Sequence, residues 1–441
     1  MSEPGYDKVR FIGYAIPTTP AQLVAIGDPD GSGMVAGTYP ASADFDADIR
    51  ARAAVLKTDV DTAKHALAGH DDPTVLNVFV APEFFWHGRM GPYVHTPTDA
   101  DPADAILEVL REALPALEYP GFLFVLGTVV TAAVADIDEV LAGSSTVARN
   151  DVVRALGEAW LASAGPITDV VMDSLVNFIK NGHAYPAVEV RNRALVISSA
   201  AVQIGNGEPV TVLTTEKYFD SNEDFLLWDV TGRPIITEQM TAYPVIDPSG
   251  GDVKSTAFDP YSVFRLPNTA EPVHIAIEIC LDHADHRLRK SLPRNRWSSP
   301  DHGIDLHVIP SCGMQLHPPA VAARAGGWAF NCDGEYPLGT VADAGTGQHG
   351  VVAGVDCAFA DYVDSANPGY GAHTQLAFIT AGAAKSDPQA PGAVNAHFAV
   401  APDVTVVVIP VTVVADLGSH FAGGPGAIHI YGRETPLAIR G

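Results

Sequence analysis

Phe45, Ile49, Ala53, Leu56, Val60, Ala63 and Leu67 recur at intervals of three and four residues, and Gly69 stands just beyond them. That spacing puts the apolar side chains on one stripe of an α-helix, and the glycine supplies a stop. The stripe needs an apolar partner. Val75 to Ala81 follows as a short, nearly unbroken apolar run, suited to a strand covered on both faces and ending at Pro82-Glu83. The unit then repeats: Ile106, Leu107, Leu110 and Leu114 predict a second helix, and Phe122 to Val130 a second buried strand. Helices laid on buried strands predict a layered α/β protein. An opening strand over Val9 to Ile16 precedes both units. The glycine-rich loop at 27–33 lacks the Lys-Ser/Thr pair of a phosphate-binding loop.

From 133 to 187 the rhythm breaks. Val140, Leu141, Val152, Leu156, Trp160, Val171, Leu175 and Ile179 read as two or three helices with no strand between them, hence a helical insertion. Strand-like runs resume at Val188 to Ile197, Val210 to Thr215, Val273 to Ile279, Leu306 to Ile309, Val351 to Cys357, Leu376 to Thr380 and Val404 to Val413, and their number predicts two sheets. The Gly/Pro/Asp-rich stretch 229–272 reads as a long connection and 381–396 as an exposed loop. Trp328 is read onto an Ala-rich helix. No internal repeat is visible, and residues 1–441 read as one domain carrying the insertion.

With 26 Lys and Arg against 52 Asp and Glu, the formal charge is −26, which repels phosphate backbones and anionic lipid heads. Nucleic-acid and membrane-surface partners are therefore not expected. Four cysteines, at 280, 312, 332 and 357, form no CxxC pair, so a disulfide scaffold is excluded and a reducing compartment is expected. The first residues show no secretory pattern, and the apolar stretches Phe122 to Ala135 and Val404 to Ala415 fall short of the roughly 20 residues that span a bilayer. The expected location is cytoplasmic.

Three strand ends present a reactive side chain just where an apolar run stops: Glu83 in Val-Ala-Pro-Glu-Phe-Phe-Trp, Lys217 in Leu-Thr-Thr-Glu-Lys-Tyr-Phe and Cys280 in Ile-Glu-Ile-Cys-Leu-Asp-His. Pockets in layered α/β folds open beyond the carboxyl ends of strands, so the three groups can converge. Taken singly, each has a bland alternative: a surface acid, a snorkelling lysine, a buried small hydrophobe. Trp86, among the aromatics after Glu83, and Tyr218, beside Lys217, are candidate pocket residues, with ordinary core as the alternative. Cys312 with His317 offers a second thiol–imidazole pair. His283 and His286, with Asp282 and Asp285, offer metal-ligating atoms, but a polar helix face is the favoured reading of that cluster.

The three strand-end segments resemble the Glu, Lys and Cys motifs of the nitrilase superfamily of carbon–nitrogen hydrolases, in that family's order. Arg191-Asn192-Arg193-Ala194-Leu195-Val196-Ile197 is similar to the family's Asn-containing strand before the lysine. Gly303 to Ser311 resembles its segment ending in Pro-Ser, and Ala329-Phe330-Asn331 its following helix end. The insertion at 133–187, the stretch 229–272 and an opening strand without the family's common Gln depart from the pattern.

The resemblance implies a four-layer α-β-β-α sandwich, dimerised through helices, and a cysteine thioester mechanism that needs no metal or organic cofactor. Cys280 is then the nucleophile, Glu83 the base, Lys217 the cation and the backbone N–H of Leu281 an oxyanion donor. Glu223, or Asp224 beside it, matches a second acid after the lysine. A thiol of pKa about 8.5 needs a base or a positive field at neutral pH. A helix over Ala284 to Leu292 is expected to aim its N-terminus at Cys280 and favour the thiolate. The implied substrate is a small amide or N-carbamoyl compound, because Cys280-Leu281 lacks the Cys-Trp pattern frequent in true nitrilases. Nitrile hydrolysis, acyl transfer to an amine and a non-catalytic scaffold are the alternatives.

Overall fold

The computed structural model of the chain describes residues 5–19, 22–25, 34–42, 44–88, 91–95, 98–134, 188–204, 207–217, 260–269, 271–291, 303–335, 349–352, 355–366, 369–381, 396–401, 403–412 and 414–440. In chain order these form β1 (Lys8–Ala15), β2 (Gln22–Ala25), β3 (Met34–Thr38), α1 (Phe45–Ala66), β4 (Val75–Ala81), β5 (Tyr93–His95), α2 (Pro102–Ala113), β6 (Phe122–Val134), β7 (Val188–Val202) and β8 (Val210–Glu216). There follow β9 (Val263–Leu266), β10 (Val273–Ile277), α3 (Leu281–Ala284), α4 (Arg287–Ser291), β11 (Ile304–Ser311), β12 (Ala323–Asp333), β13 (His349–Val352), β14 (Val355–Val363) and β15 (Gly371–Ala381). The last strands are β16 (His397–Ala399), β17 (Val406–Pro410), β18 (Ala427–Tyr431) and β19 (Leu437–Ala438). Of the predicted insertion at 133–187, residues 133 and 134 end β6 and 135–187 lie outside the described residues; the span 218–259, which includes most of the predicted connection 229–272, lies outside them too, as does most of 381–396.

The result is a mixed α/β architecture with two large sheets. The first runs β17-β18-β1-β4-β6-β7-β8, with β19 on β1 and β5 on β6, and the second β13-β14-β15-β12-β11-β10-β9, with β16 on β15; β2 and β3 pair apart. In the first sheet β1, β4 and β6 run parallel, and in the second β10, β11 and β12 do. Alternation along these strands divides the core. Ile12, Tyr14, Phe79, Phe124 and Leu126 turn toward α1 and α2, where they meet Ile49, Leu56, Val60, Ile106 and Leu110. Phe11, Val78, Val80 and Val125 turn the other way, onto Ile275, Ile277, Val308 and Phe330 of the second sheet. Full burial of a Leu or Val of this kind stabilises by about 1.5–3 kcal/mol. Phe11 stacks on Phe330 at 5.1 Å between ring centroids. Gly13, beside it, has no room for a Cβ, which would collide with Thr374.

The helices begin as physical chemistry dictates. Asp44 caps α1 by accepting from the Ala47 N–H at 3.2 Å, and Asp101 caps α2 through Ala103 N at 2.9 Å with Pro102 at the first helical position. One expected helix is absent: Trp328 and Ala329-Phe330-Asn331 lie in strand β12. Ladder bonds to β11 on one side and β15 on the other override the weak strand preference of the Ala- and Gly-rich sequence. A register shift opposite Ile304/Leu306 absorbs the glycines at 326 and 327 as a bulge. Strands β2, β3, β5, β9, β16, β18 and β19 also lie outside the apolar runs that predict strands. No helix among the described residues is long and apolar enough to cross a membrane.

Candidate active site

Glu83 stands two residues past β4, Lys217 one past β8 and Cys280 three past β10. Each is pinned through its backbone. The Glu83 N–H donates to Ser311 O at 3.2 Å and its carbonyl accepts from Thr18 Oγ1 at 2.6 Å. Lys217 N donates to Asn192 O at 2.8 Å, and Cys280 N to Pro310 O at 3.2 Å. Gly127 in β6 lets the Glu83 turn come close, because a Cβ there would lie 2.5 Å from Phe85 Cβ and 2.8 Å from Pro82 O. Arg52 holds the same turn from below by donating to Phe85 O at 2.9 Å, while pairing with Asp48 at 2.7 Å. Burial alone would raise the Asp48 carboxyl, but His420, Arg52 and Tyr93 outweigh it and hold it below the usual range.

The side chains meet between the sheets. Lys217 Nζ lies 2.8 Å from Glu83 Oε1, with both side chains at 0% exposure. Asn192 Nδ2 donates to the same oxygen at 2.9 Å, and the Lys217 ammonium sits 5.6 Å from the Phe84 ring centroid. The Cys280 thiol points at Cys312 O, 3.6 Å away, and interacts with both Glu83 and Lys217. Burial pushes this thiol well above its ordinary range, and the negative Glu83 adds to the rise, against a smaller opposing pull from Lys217. The expected helix N-terminus that would favour the thiolate does not offset these effects. The favoured resting form is S–H, with a carboxylate beside it that can take the proton.

The turn from Cys280 into the following helix, a nucleophile elbow in form, also departs from expectation. In place of one helix over Ala284 to Leu292 there are the four-residue α3 and the five-residue α4, broken at His286, whose φ is +56°. Cys280 itself has φ +44° and ψ −110°, backbone that an L side chain adopts only under constraint. Replacing Cys280 by Gly relieves that constraint, whereas Ala keeps it. We expect Cys280→Gly to be more stable than Cys280→Ala by about 1–2 kcal/mol, the reverse of the usual order. Urea unfolding of the two variants checks this, and equal or inverted midpoints would show that the Cys280 backbone is not strained.

Sequence reasoning did not assign a role to Asn192 or to the loop after β11. Asn192 alternates with Arg191, which pairs with Glu216 at 2.6 Å, and with Arg193, which pairs with Asp101 at 2.7 Å. Strand alternation, a signal legible in Arg-Asn-Arg, thus turns the amide alone toward Glu83. In the loop, Gly313 N and Met314 N donate to the Asp333 carboxylate at 3.1 and 2.7 Å, and Asn331 Nδ2 donates to Met314 O at 2.7 Å. These bonds aim the Cys312 carbonyl at the thiol.

The other candidates fall elsewhere. Trp86 is not a pocket wall: it is fully buried on the helix side of the first sheet, and its indole N–H donates to Leu126 O at 2.7 Å. Tyr218, Glu223 and Asp224 lie outside the described residues. Leu281 opens α3, where the first N–H groups of a helix have no intrahelical acceptor. Among the described residues, the contacts of His317 go to His283 and His286 rather than to Cys312.

The histidines form a different cluster from the one expected. Glu278, His283 and His307, all buried, bring ligand-type atoms within 4.8 Å of one another. His283 Nε2 accepts from His317 N at 3.0 Å and His307 Nδ1 from Ala322 N at 3.3 Å. Those acceptors assign the ring protons to the nitrogens that face Glu278. A metal-bound imidazole has the opposite pattern, donating from its far nitrogen. These tautomers fit a hydrogen bond from His283 to Glu278 and an N–H of His307 that approaches the same carboxylate to 3.1 Å, rather than a cation between them. No protein-family model, curated protein or solved structure matches the chain.

Proposed function

We propose that the protein hydrolyses a non-peptide C–N bond, in an amide or N-carbamoyl compound, through a cysteine thioester. The observation that carries this reading is the Glu83–Lys217 contact of 2.8 Å, sealed from water beside a buried thiol. Cys280 Sγ attacks the substrate carbon as its proton passes to Glu83. Lys217 and the Leu281 N–H stabilise the oxygen that becomes negative. Glu83 returns the proton to the leaving nitrogen as the C–N bond breaks, which leaves a thioester. Water then gives a proton to Glu83 and its oxygen to the acyl carbon, and the thiol leaves protonated. The raised thiol pKa fits a transfer concerted with attack. The low polarity around the pair strengthens each electrostatic contact.

In this reading the two sheets are the centre of a four-layer α-β-β-α sandwich, and a second copy docks through helices. The chemistry requires no metal or organic cofactor. The test is mass spectrometry of the protein incubated with a panel of amides, ureas and nitriles. An acyl adduct is expected on the Cys280 peptide and not in Cys280→Ala; a panel that labels no peptide, or labels Cys312 instead, overturns the assignment.

A further inference from the structure

We infer that Glu278 and His283 form a staple across the nucleophile elbow, making them positioning residues for Cys280. This rests on the hydrolase reading above. Cys280 lies between them in the chain, and the His283 Nδ1–H spans the elbow to reach Glu278 Oε2 at 2.8 Å. The other Glu278 oxygen accepts from Leu288 N at 2.8 Å, which ties down the start of α4. His307 Nε2, on neighbouring strand β11, lies 3.1 Å from Glu278 Oε2, and the far nitrogen of His283 accepts from His317 N in the loop beyond Cys312. One carboxylate therefore gathers the segments before and after the thiol, with its neighbouring strand.

Strained backbone persists only where its surroundings over-determine it, and Cys280 has such backbone. The backbone bond Cys280 N to Pro310 O, beyond the end of β10, fixes the entry, and His283 N to Cys280 O, at 2.8 Å, closes the turn. Neither prevents the exit helix from swinging. The imidazole–carboxylate bond does, and at full burial no water competes for it: Glu278 is 4% exposed and His283 0%. Burial would raise the Glu278 carboxyl, but the hydrogen bond from His283 and the close approach of His307 outweigh it and hold it at about 2. The carboxylate is thus present across the working pH range of most enzymes.

Three variants test the staple: His283→Leu, which keeps apolar volume and loses the donor; His283→Asn, which loses volume and keeps an N–H at the Nδ1 position; and Glu278→Gln, which sets an amide N–H against two donors. Two probes are read well below each melting temperature: the burst of p-nitrophenol from p-nitrophenyl acetate, which reports acylation, and alkylation of Cys280 by iodoacetamide, which needs no turnover. His283→Leu and Glu278→Gln should acylate at least tenfold more slowly at saturating ester, with half-saturation little changed. Their Cys280 should alkylate at least threefold faster, because a released elbow exposes the thiol. His283→Asn should recover both rates to within about threefold of wild type. A His283→Leu protein with wild-type rates, or a His283→Asn protein as impaired as His283→Leu, overturns the staple. A wild type that alkylates without acylating overturns the hydrolase reading, and the staple is then judged on alkylation alone.

Discussion

Lys217→Met should abolish turnover and also cost about 3–5 kcal/mol of stability, because it strands the Glu83 carboxylate in an interior where Lys217 was its cationic partner at 2.8 Å. The second variant, Glu83→Gln with Lys217→Met, removes both charges at nearly constant volume. Replacing a whole buried pair is often neutral or stabilising, so most of the lost stability should return. Turnover should not. The proposed base is gone, and loss of one oxyanion-type donor alone lowers kcat by about 10²–10³. Urea midpoints together with the rate of acyl-adduct formation separate the two roles. A double variant that regained turnover would make the pair structural only, and a Lys217→Met protein as stable as wild type would show that water reaches the site.

Asp59→Asn should make the protein more stable at pH 8 and leave it nearly unchanged at pH 4. Asp59 lies on α1 against the first sheet at 1% exposure, and its Oδ1 finds no hydrogen-bond donor among the described residues. Burial pushes its carboxyl up to about 7, against a smaller opposing effect of the Tyr14 hydroxyl. The sign follows from linkage. Between the unfolded value of about 3.9 and the folded value, the folded chain holds a proton that the unfolded chain has released, so stability falls as pH rises through that window. Above it the penalty is complete, at about 4 kcal/mol by order of magnitude. Melting temperatures of the two proteins should diverge from pH 4 to 7 and run parallel above; curves parallel throughout would mean that Asp59 is hydrated.

Part of this architecture is legible in the chain. The three- and four-residue spacing from Phe45 to Leu67 corresponds to α1 (Phe45–Ala66), and the run Val75 to Ala81 coincides with β4. Those signals are strong because a helix stripe or a doubly covered strand is written in consecutive residues. Trp328 and Ala329 mislead for the converse reason: their strand exists through ladders to Leu306, His307, Ala377 and Phe378, which are distant in sequence. Trp86 misleads differently. Proximity to Glu83 in the chain suggested a shared pocket, but residues after a strand end can turn to either side of the sheet, and this one turns toward α1.

The order of apolar and polar residues by itself determined that helices would lie on buried strands, that two sheets would form, and that Glu83, Lys217 and Cys280 would each stand at a strand end. Only the tertiary structure decided that Lys217 and Asn192 share one oxygen of Glu83, that the Cys280 thiol is raised rather than lowered, and that Glu278 closes over the elbow with His283 and His307. Each of these depends on which strands are neighbours and on how far water is removed. Both are properties of the assembled sheets, and no local stretch of residues carries them.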